Sequence, residues 1–330
     1  MTHALPNTYP ASNTTDKIAA LRERASCLRA VRSFFHERDI MEVDCPMLGH
    51  AAPIDTHIDV MRVEIGENEW GYLHTSPEYG MKRLLAAGVG DCYQLGHVFR
   101  LGESSQKHNP EFTMLEWYRL GVAYRPFIEE TLDLVRLLLG PVCPGSVSFI
   151  SYRAALQRYA GVDYVTATTS ELLACVHSHG QHLSPEAKSW DKDTLMHVLL
   201  GLVVEPHLGQ QELLVLHDYP ASQAALARTV QNLDETVAER FEIYFRGVEL
   251  ANGYHELTDA AEQRRRLHEE EHMRLSMGKP PLVIDENFLG ALEDGLPPCC
   301  GVAVGFDRLL MLRLGKTSLD EVLPFSWSES

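Results

Sequence analysis

The chain has 330 residues, 45% of them hydrophobic and 23% charged, and carries a formal net charge of −17. That composition supplies ample material for a core, and the acidic balance argues against a general affinity for nucleic acid, which needs clustered lysine and arginine. No apolar run reaches the roughly 20 residues that span a bilayer. No secretory signal opens the chain, and the seven cysteines form no Cys-x-x-Cys pair, so a reducing cytoplasm and no membrane contact are expected.

From Asp16 to Arg38, apolar residues recur at Ile18, Leu21, Ala25, Leu28, Val31 and Phe35, the intervals of an amphipathic helix. IMEVDCP alternates and ends at Pro46, as an edge strand does. Residues 56–65 and 71–75 read as a pair of strands. Ser76-Pro77-Glu78 is a helix start: a capping serine, proline at the first helical position and an acid in the first turn. That helix stops at Gly88. CYQLGHVFR (92–100) and EFTMLEWYRL (111–120) are strands joined by the polar loop LGESSQKHNP. Residues 124–235 read as mainly helical, broken by PVCPG. FEIYFRGVEL (241–250) is a strand, and Asn252-Gly253 signals a tight turn before YHEL. AAEQRRRLHEEEHMRL is a highly charged helix. It contains His268-Glu269-Glu270-Glu271-His272, which fits the zinc-peptidase pattern literally but offers no third ligand.

GVAVGFDRLL (301–310) alternates at period two, so Val302, Val304 and Phe306 share one face and Gly301, Ala303 and Gly305 leave the other almost bare. A bare strand face fits either a tightly packed helix or a flat ligand. Two other stretches carry chemistry. In FRLGESSQKHNPEF, Arg100 can grip a carboxylate or phosphate through two parallel hydrogen bonds. Phe112 offers a ring on which a purine can stack, and Glu103 an acceptor for an exocyclic amine. In VELANGYHEL, Glu249 and Glu256 flank the expected turn, which would let two carboxylates converge on Mg²⁺.

Taken together, FR…HNPEF, GVAVGFDRL and the helix–strand unit ending at Pro46 resemble motifs 2, 3 and 1 of the class II aminoacyl-tRNA synthetases. TSPEYGMKRLL, PEFTMLEWY and ELANGYHELTDA are similar to the lysyl-tRNA synthetase catalytic domain. The resemblance implies an α+β fold, an antiparallel sheet flanked by helices, in one catalytic domain over residues 1–330 with a helical insertion at roughly 124–235. It also implies ATP as co-substrate, Mg²⁺, and a homodimer built on motif 1. Two departures, the missing anticodon-binding OB-fold and Ala303 in place of a motif 3 glycine, are those of the short lysyl-tRNA synthetase paralogues that modify bacterial elongation factor P. These paralogues activate β-lysine and transfer it to a lysine of the factor, so tRNA is not an expected partner.

By the same resemblance, Arg100 and Arg308 are the catalytic cations. Ser76, Pro77, Glu78, Tyr118, Glu256 and Ala303 form the amino-acid pocket. Arg100, Gly102, Glu103, His108, Asn109, Phe112, Glu249, Leu250, Gly305 and Arg308 bind ATP, and Glu249 and Glu256 hold the metal. The family consensus places a glutamate where Gly102 stands, so either Gly102 or Glu103 meets adenine. Rival readings are an ammonia-using asparagine synthetase, a lysyl-tRNA synthetase lacking its anticodon domain, and a catalytically inactive synthetase-like binding module. The intact Arg100, Arg308, Glu249 and Glu256 argue against the last.

Overall fold

The computed structural model describes residues 11–232 and 234–330. Its first element is α1 (Ala11–His36). The helix buries Ala20, Arg24, Cys27, Val31, Phe34 and Phe35 and leaves Ile18 46% exposed, so the buried stripe is rotated from the expected one. The rotation follows from Arg24, a charged residue placed inward because it has a buried partner.

The main sheet contains β1 (Met41–Glu42), β2 (Cys92–Phe99), β3 (Glu111–Leu120), β4 (Val147–Ser151), β5 (Leu213–Pro220), β6 (Thr229–Asn232), β7 (Glu235–Phe245), β8 (Val248–His255) and β9 (Cys299–Gly305). Their order is β1-β2-β3-β9-β8-β7-β5-β4, with β6 paired to β7. The strands carrying the motifs pair antiparallel, while β1–β2 and β4–β5 are parallel pairs at the two edges. The edge strand before Pro46 is therefore present. The expected pair of strands forms a hairpin, Met61–Gly66 with Glu69–Leu73, in a separate small sheet with Leu48–Gly49.

Alternation in β3 and β9 sorts side chains between two layers. Leu115, Trp117, Val302 and Val304 face a core shared with Phe127, Leu132 and Val135 of α3 (Tyr124–Leu139) and with Val31 and Phe35 of α1. Glu116, Tyr118, Gly301 and Ala303 face the opposite way, into a cleft. Helix α2 (Glu78–Ala86) borders that cleft. Ser76 Oγ accepts from Glu78 N at 3.0 Å, just outside the helix, and Pro77 occupies the N-cap position.

Two expectations need correction. Residues 124–235 are not one helical insertion, because β4, β5 and β6 lie within them. The helical part is narrower: it includes α4 (Thr169–Ser178) and α5 (Lys192–Leu199) and packs its own core on Leu214, Leu216 and Tyr219 of β5. β-branched and aromatic runs inside that span form strands once a neighbour offers its backbone. Asn252-Gly253 is also not a turn. The chain reverses at Arg246-Gly247, both at positive φ, and Gly253 lies within β8. A side chain at Gly253 would meet the Phe241 ring at 2.5 Å, so close packing selects this glycine.

Helix α6 (Ala260–Ser276) holds the His268–His272 pattern with both histidines exposed. No group of three or more metal-binding side chains exists among the described residues. Helix α7 (Glu286–Gly295) precedes β9, and α8 (Phe306–Arg313) follows it directly. No described helix is long and apolar enough to cross a membrane.

Candidate active site

One cleft of about 1640 Å³ is lined by both Arg100 and Arg308 and by Glu78, Tyr118, Ala303 and Gly305. Its floor is the open face of β3, β9, β8 and β7. Register explains the grouping: Tyr118 lies opposite Gly301 and Glu116 opposite Ala303, and on the other side Ala303 faces Asn252 and Gly301 faces Tyr254.

At one end is a buried acidic pocket. Tyr118 donates to Glu116 Oε1 at 2.7 Å, and Ser76 donates to Glu116 Oε2 at 2.7 Å. Lys82, one turn along α2 from Glu78, reaches Glu78 Oε1 at 2.5 Å and Glu256 Oε2 at 2.6 Å. Lys82 thus serves Glu256 Oε2, while Glu256 Oε1 and Asn252 Oδ1 remain buried acceptors without a donor. Three carboxylates face one ammonium here. Burial foremost, with Glu78 nearby, pushes the Glu116 carboxyl up to about 7. Burial foremost pushes Glu256 up to about 8, although Lys82 opposes it.

Gly301 is bare because of this pocket. A side chain there would lie 2.3 Å from Tyr118 Cε1 and 2.4 Å from Glu256 Oε1. The bare strand face at Gly301 leaves room for the two side chains, Tyr118 and Glu256, that face the cleft. At Gly305 the nearest atom to such a side chain would be Arg308 Cδ at 3.5 Å, an ordinary contact.

At the other end are the cations. The Arg100 guanidinium is 5.1 Å from the Phe112 ring centroid and 3.7 Å from Glu103 Oε1. Its Nε is buried without a partner. Arg308 donates to His108 Nε2 at 2.7 Å and to the Glu249 carbonyl at 3.1 Å. Because arginine only donates, His108 Nε2 is the acceptor, and Nδ1 carries the proton toward Ser105 Oγ at 2.8 Å. Burial foremost, then Arg308, holds the His108 pKa below its ordinary value, consistent with a neutral ring. Asn109 braces the loop, accepting from Trp327 N at 2.9 Å and donating to the Glu111 carbonyl at 2.6 Å.

Glu103 lines the cleft, whereas Gly102 sits in an exposed turn at φ 80°. Pro77 does not line the cleft, whereas Leu250 does, although its side chain is buried. Leu250 is also the extra residue of a bulge between β7 and β8. That bulge changes which side chains face the cleft. Glu249 and Glu256 are seven apart and would point to opposite faces of a regular strand, yet both line the cleft.

They do not converge through a turn, however. A strand of that span separates them by roughly 20 Å. Glu256 is held by Lys82, and the carboxylate that shares the surroundings of Glu249 is Glu242. Tyr244, opposite Glu249, donates to Glu242 Oε2 at 2.5 Å. Burial foremost, then Glu242, raises the Glu249 pKa. Two acidic side chains at the end of the cleft that carries Arg100 and Arg308 suit a divalent cation that also binds phosphate oxygens. Glu242, rather than Glu256, thus shares the surroundings of Glu249.

Sequence reading missed Glu116, Lys82 and Glu242. Glu116 was findable, since period two puts it on the face of Tyr118. Lys82 also had a signal, one turn from Glu78. Glu242 had none, because the bulge that aligns it with Glu249 appears only when two strands pair.

Residues 5–329 match the family model described as tRNA synthetases class II (D, K and N). Among curated relatives, an elongation factor P–(R)-beta-lysine ligase of Mannheimia succiniciproducens is 45% identical over 93% of this chain and 95% of its own length. A ligase of the same name from Vibrio vulnificus is 43% identical over 94% and 96%. One from Pasteurella multocida is 43% identical over 93% and 95%. With its motif strands, its buried acidic pocket and its paired arginines in one cleft, the chain belongs to the class II tRNA synthetase family, in the branch of the elongation factor P–(R)-beta-lysine ligases.

Proposed function

We propose that this chain activates (R)-β-lysine with ATP and transfers the β-lysyl group to the ε-amino group of a lysine on elongation factor P. The names of the relatives support the acceptor and the amino acid. The observation that carries the reading within the chain itself is the pocket of Glu78, Glu116 and Glu256 with Lys82. Fully ionised, it carries two negative charges in excess, the complement of two ammonium groups, and its buried acceptors Glu256 Oε1 and Asn252 Oδ1 await N–H donors. An aspartyl or asparaginyl substrate would bring a carboxyl or amide side chain into that field.

In the first step a carboxylate oxygen of β-lysine attacks the α-phosphorus of ATP, and the bond to pyrophosphate breaks. A carboxylate needs no general base, so the protein supplies position and charge. Arg100 neutralises the α-phosphate and the attacking carboxylate. Phe112 stacks the base and Glu103 accepts from its exocyclic amine. Arg308 and His108 donate to the β- and γ-phosphates, for which His108 presents an N–H after its ring turns from Arg308. Glu242 and Glu249 would hold Mg²⁺, which would supply charge neutralisation to the phosphates. In the second step the neutral acceptor amine attacks the carbonyl of the mixed anhydride, AMP leaves, and the amine loses its second proton. Gly305 and the small Ala303 keep the floor between the two halves low, so that carboxylate and α-phosphorus can meet.

One catalytic domain acting as a homodimer in the cytoplasm completes the reading, and the seven free cysteines suit a reducing compartment. The test is incubation with ATP, β-lysine and either elongation factor P or tRNA. Labelled factor with unlabelled tRNA is expected; labelled tRNA with unlabelled factor overturns the proposal.

A further inference from the structure

The amino-acid pocket contains a cation of its own. Lys82 has no exposed side-chain surface, and its Nζ lies between Glu78 Oε1 and Glu256 Oε2. One ammonium thus ties the start of α2 to the residue just beyond β8. Burying a charge is costly, and an apolar side chain of similar volume commonly stabilises a protein as well as a buried ion pair does. Holding α2 against the sheet therefore does not require lysine. Packing is already supplied by Tyr79, which stacks on Phe288 at 4.1 Å between centroids, and by Met81 and Leu85, which are fully buried.

The position of Lys82 has a different consequence. Glu256 lies over Gly301 beside Tyr118, with Oε2 held by Lys82 and Oε1 lacking a hydrogen-bond donor. Glu116 already receives hydrogen bonds from Ser76 and Tyr118. With Lys82, three carboxylates and one ammonium leave two charges for a ligand to neutralise. Without it, two ammonium groups would meet three carboxylates, and one carboxylate would have to retain a proton or go uncompensated. Glu78 and Glu256 would also repel each other across the space the ligand must enter.

We propose that Lys82 is a positioning residue for amino-acid binding, which fixes Glu78 and Glu256 and matches the charge of the pocket to a diammonium substrate. The inference rests on reading this pocket as the β-lysine site. ATP–pyrophosphate exchange separates the two. If the wild-type chain exchanges with neither β-lysine nor α-lysine, the reading of the pocket fails, whatever Lys82 does.

Given wild-type exchange, Lys82→Gln keeps N–H donors and removes the charge, and Lys82→Arg keeps the charge. In Lys82→Gln the KM for β-lysine rises at least about tenfold while the KM for ATP stays within about twofold. Lys82→Arg loses less. The β-lysine KM of Lys82→Gln also improves more steeply from pH 7 to pH 9 than that of wild type, because Glu256 loses the ammonium that opposes its protonation. An unchanged β-lysine KM overturns the inference. So does a parallel rise of both KM values in both variants, which marks Lys82 as a support of the fold.

Discussion

Ala303 lies between Glu116 and Asn252 on the neighbouring strands, midway between the acidic pocket and the arginines. A methyl there limits how near a substrate backbone can lie to the sheet. Ala303→Gly is therefore expected to move preference toward α-lysine by roughly tenfold in kcat/KM, the worth of a methyl in a close pocket. Pyrophosphate exchange with both isomers measures it, and an unchanged ratio assigns Ala303 to packing alone. The carboxylates predict a pH dependence. Glu116 and Glu256 are pushed up to about 7 and about 8 in the empty pocket. Two ammonium groups bind the ionised forms, so protons leave as the substrate enters. Affinity is weakest at low pH, and the KM for β-lysine falls as pH rises from 6 to 8, by up to about tenfold per unit for each proton released. The KM for ATP changes little over that window. A flat β-lysine profile contradicts this account.

At the scale of elements, the phosphate end depends on how α8 is anchored. Asp307, next to Arg308, is 2% exposed; it pairs with Arg24 of α1 and accepts from Thr113 N of β3 at 2.7 Å. One carboxylate thus joins the first helix, a motif strand and the helix that carries Arg308. Asp307→Asn leaves the buried Arg24 without its counter-charge and is expected to cost about 3–5 kcal/mol. Chemical denaturation reads that loss, and the ATP KM rises with it because Arg308 loses its fixed base. A change below about 1 kcal/mol would show that Arg24 finds another partner. The bulge at Leu250 works at the same scale, since it turns Glu249 into the cleft beside Glu242 while Glu256 stays in the acidic pocket with Lys82.

At the scale of the molecule, the N-terminal unit divides its apolar surface. Val31 and Phe35 serve the chain's own core, while Ile18, Met41, Met47 and Leu48 remain 40% exposed or more. Apolar side chains left outside along one helix and the segment after it suit a two-fold interface. A dimer at micromolar concentration is expected in sedimentation velocity, with Met41→Asp and Leu48→Asp together shifting it toward monomer. A monomeric wild-type chain refutes the assembly.

The sequence alone determined the order of helices and strands around the motifs, because periodicity is local: Val302, Val304 and Phe306 announce their face without help from the rest of the chain. Arg100, Phe112, Glu78, Tyr118 and Arg308 were legible for the same reason, each standing in a short block whose chemistry travels with it. What lay beyond the sequence is what pairing and burial decide. Gly253 reads as a turn beside Asn252 until the Phe241 ring lies over it. Three strands within residues 124–235 emerge only when neighbouring strands complete their hydrogen bonds. The choice of Glu242 over Glu256 beside Glu249 depends on a bulge, and a bulge belongs to two strands at once. The pairing of Lys82 with Glu256 joins residues far apart in the chain, whose charges meet only after the sheet and α2 have packed.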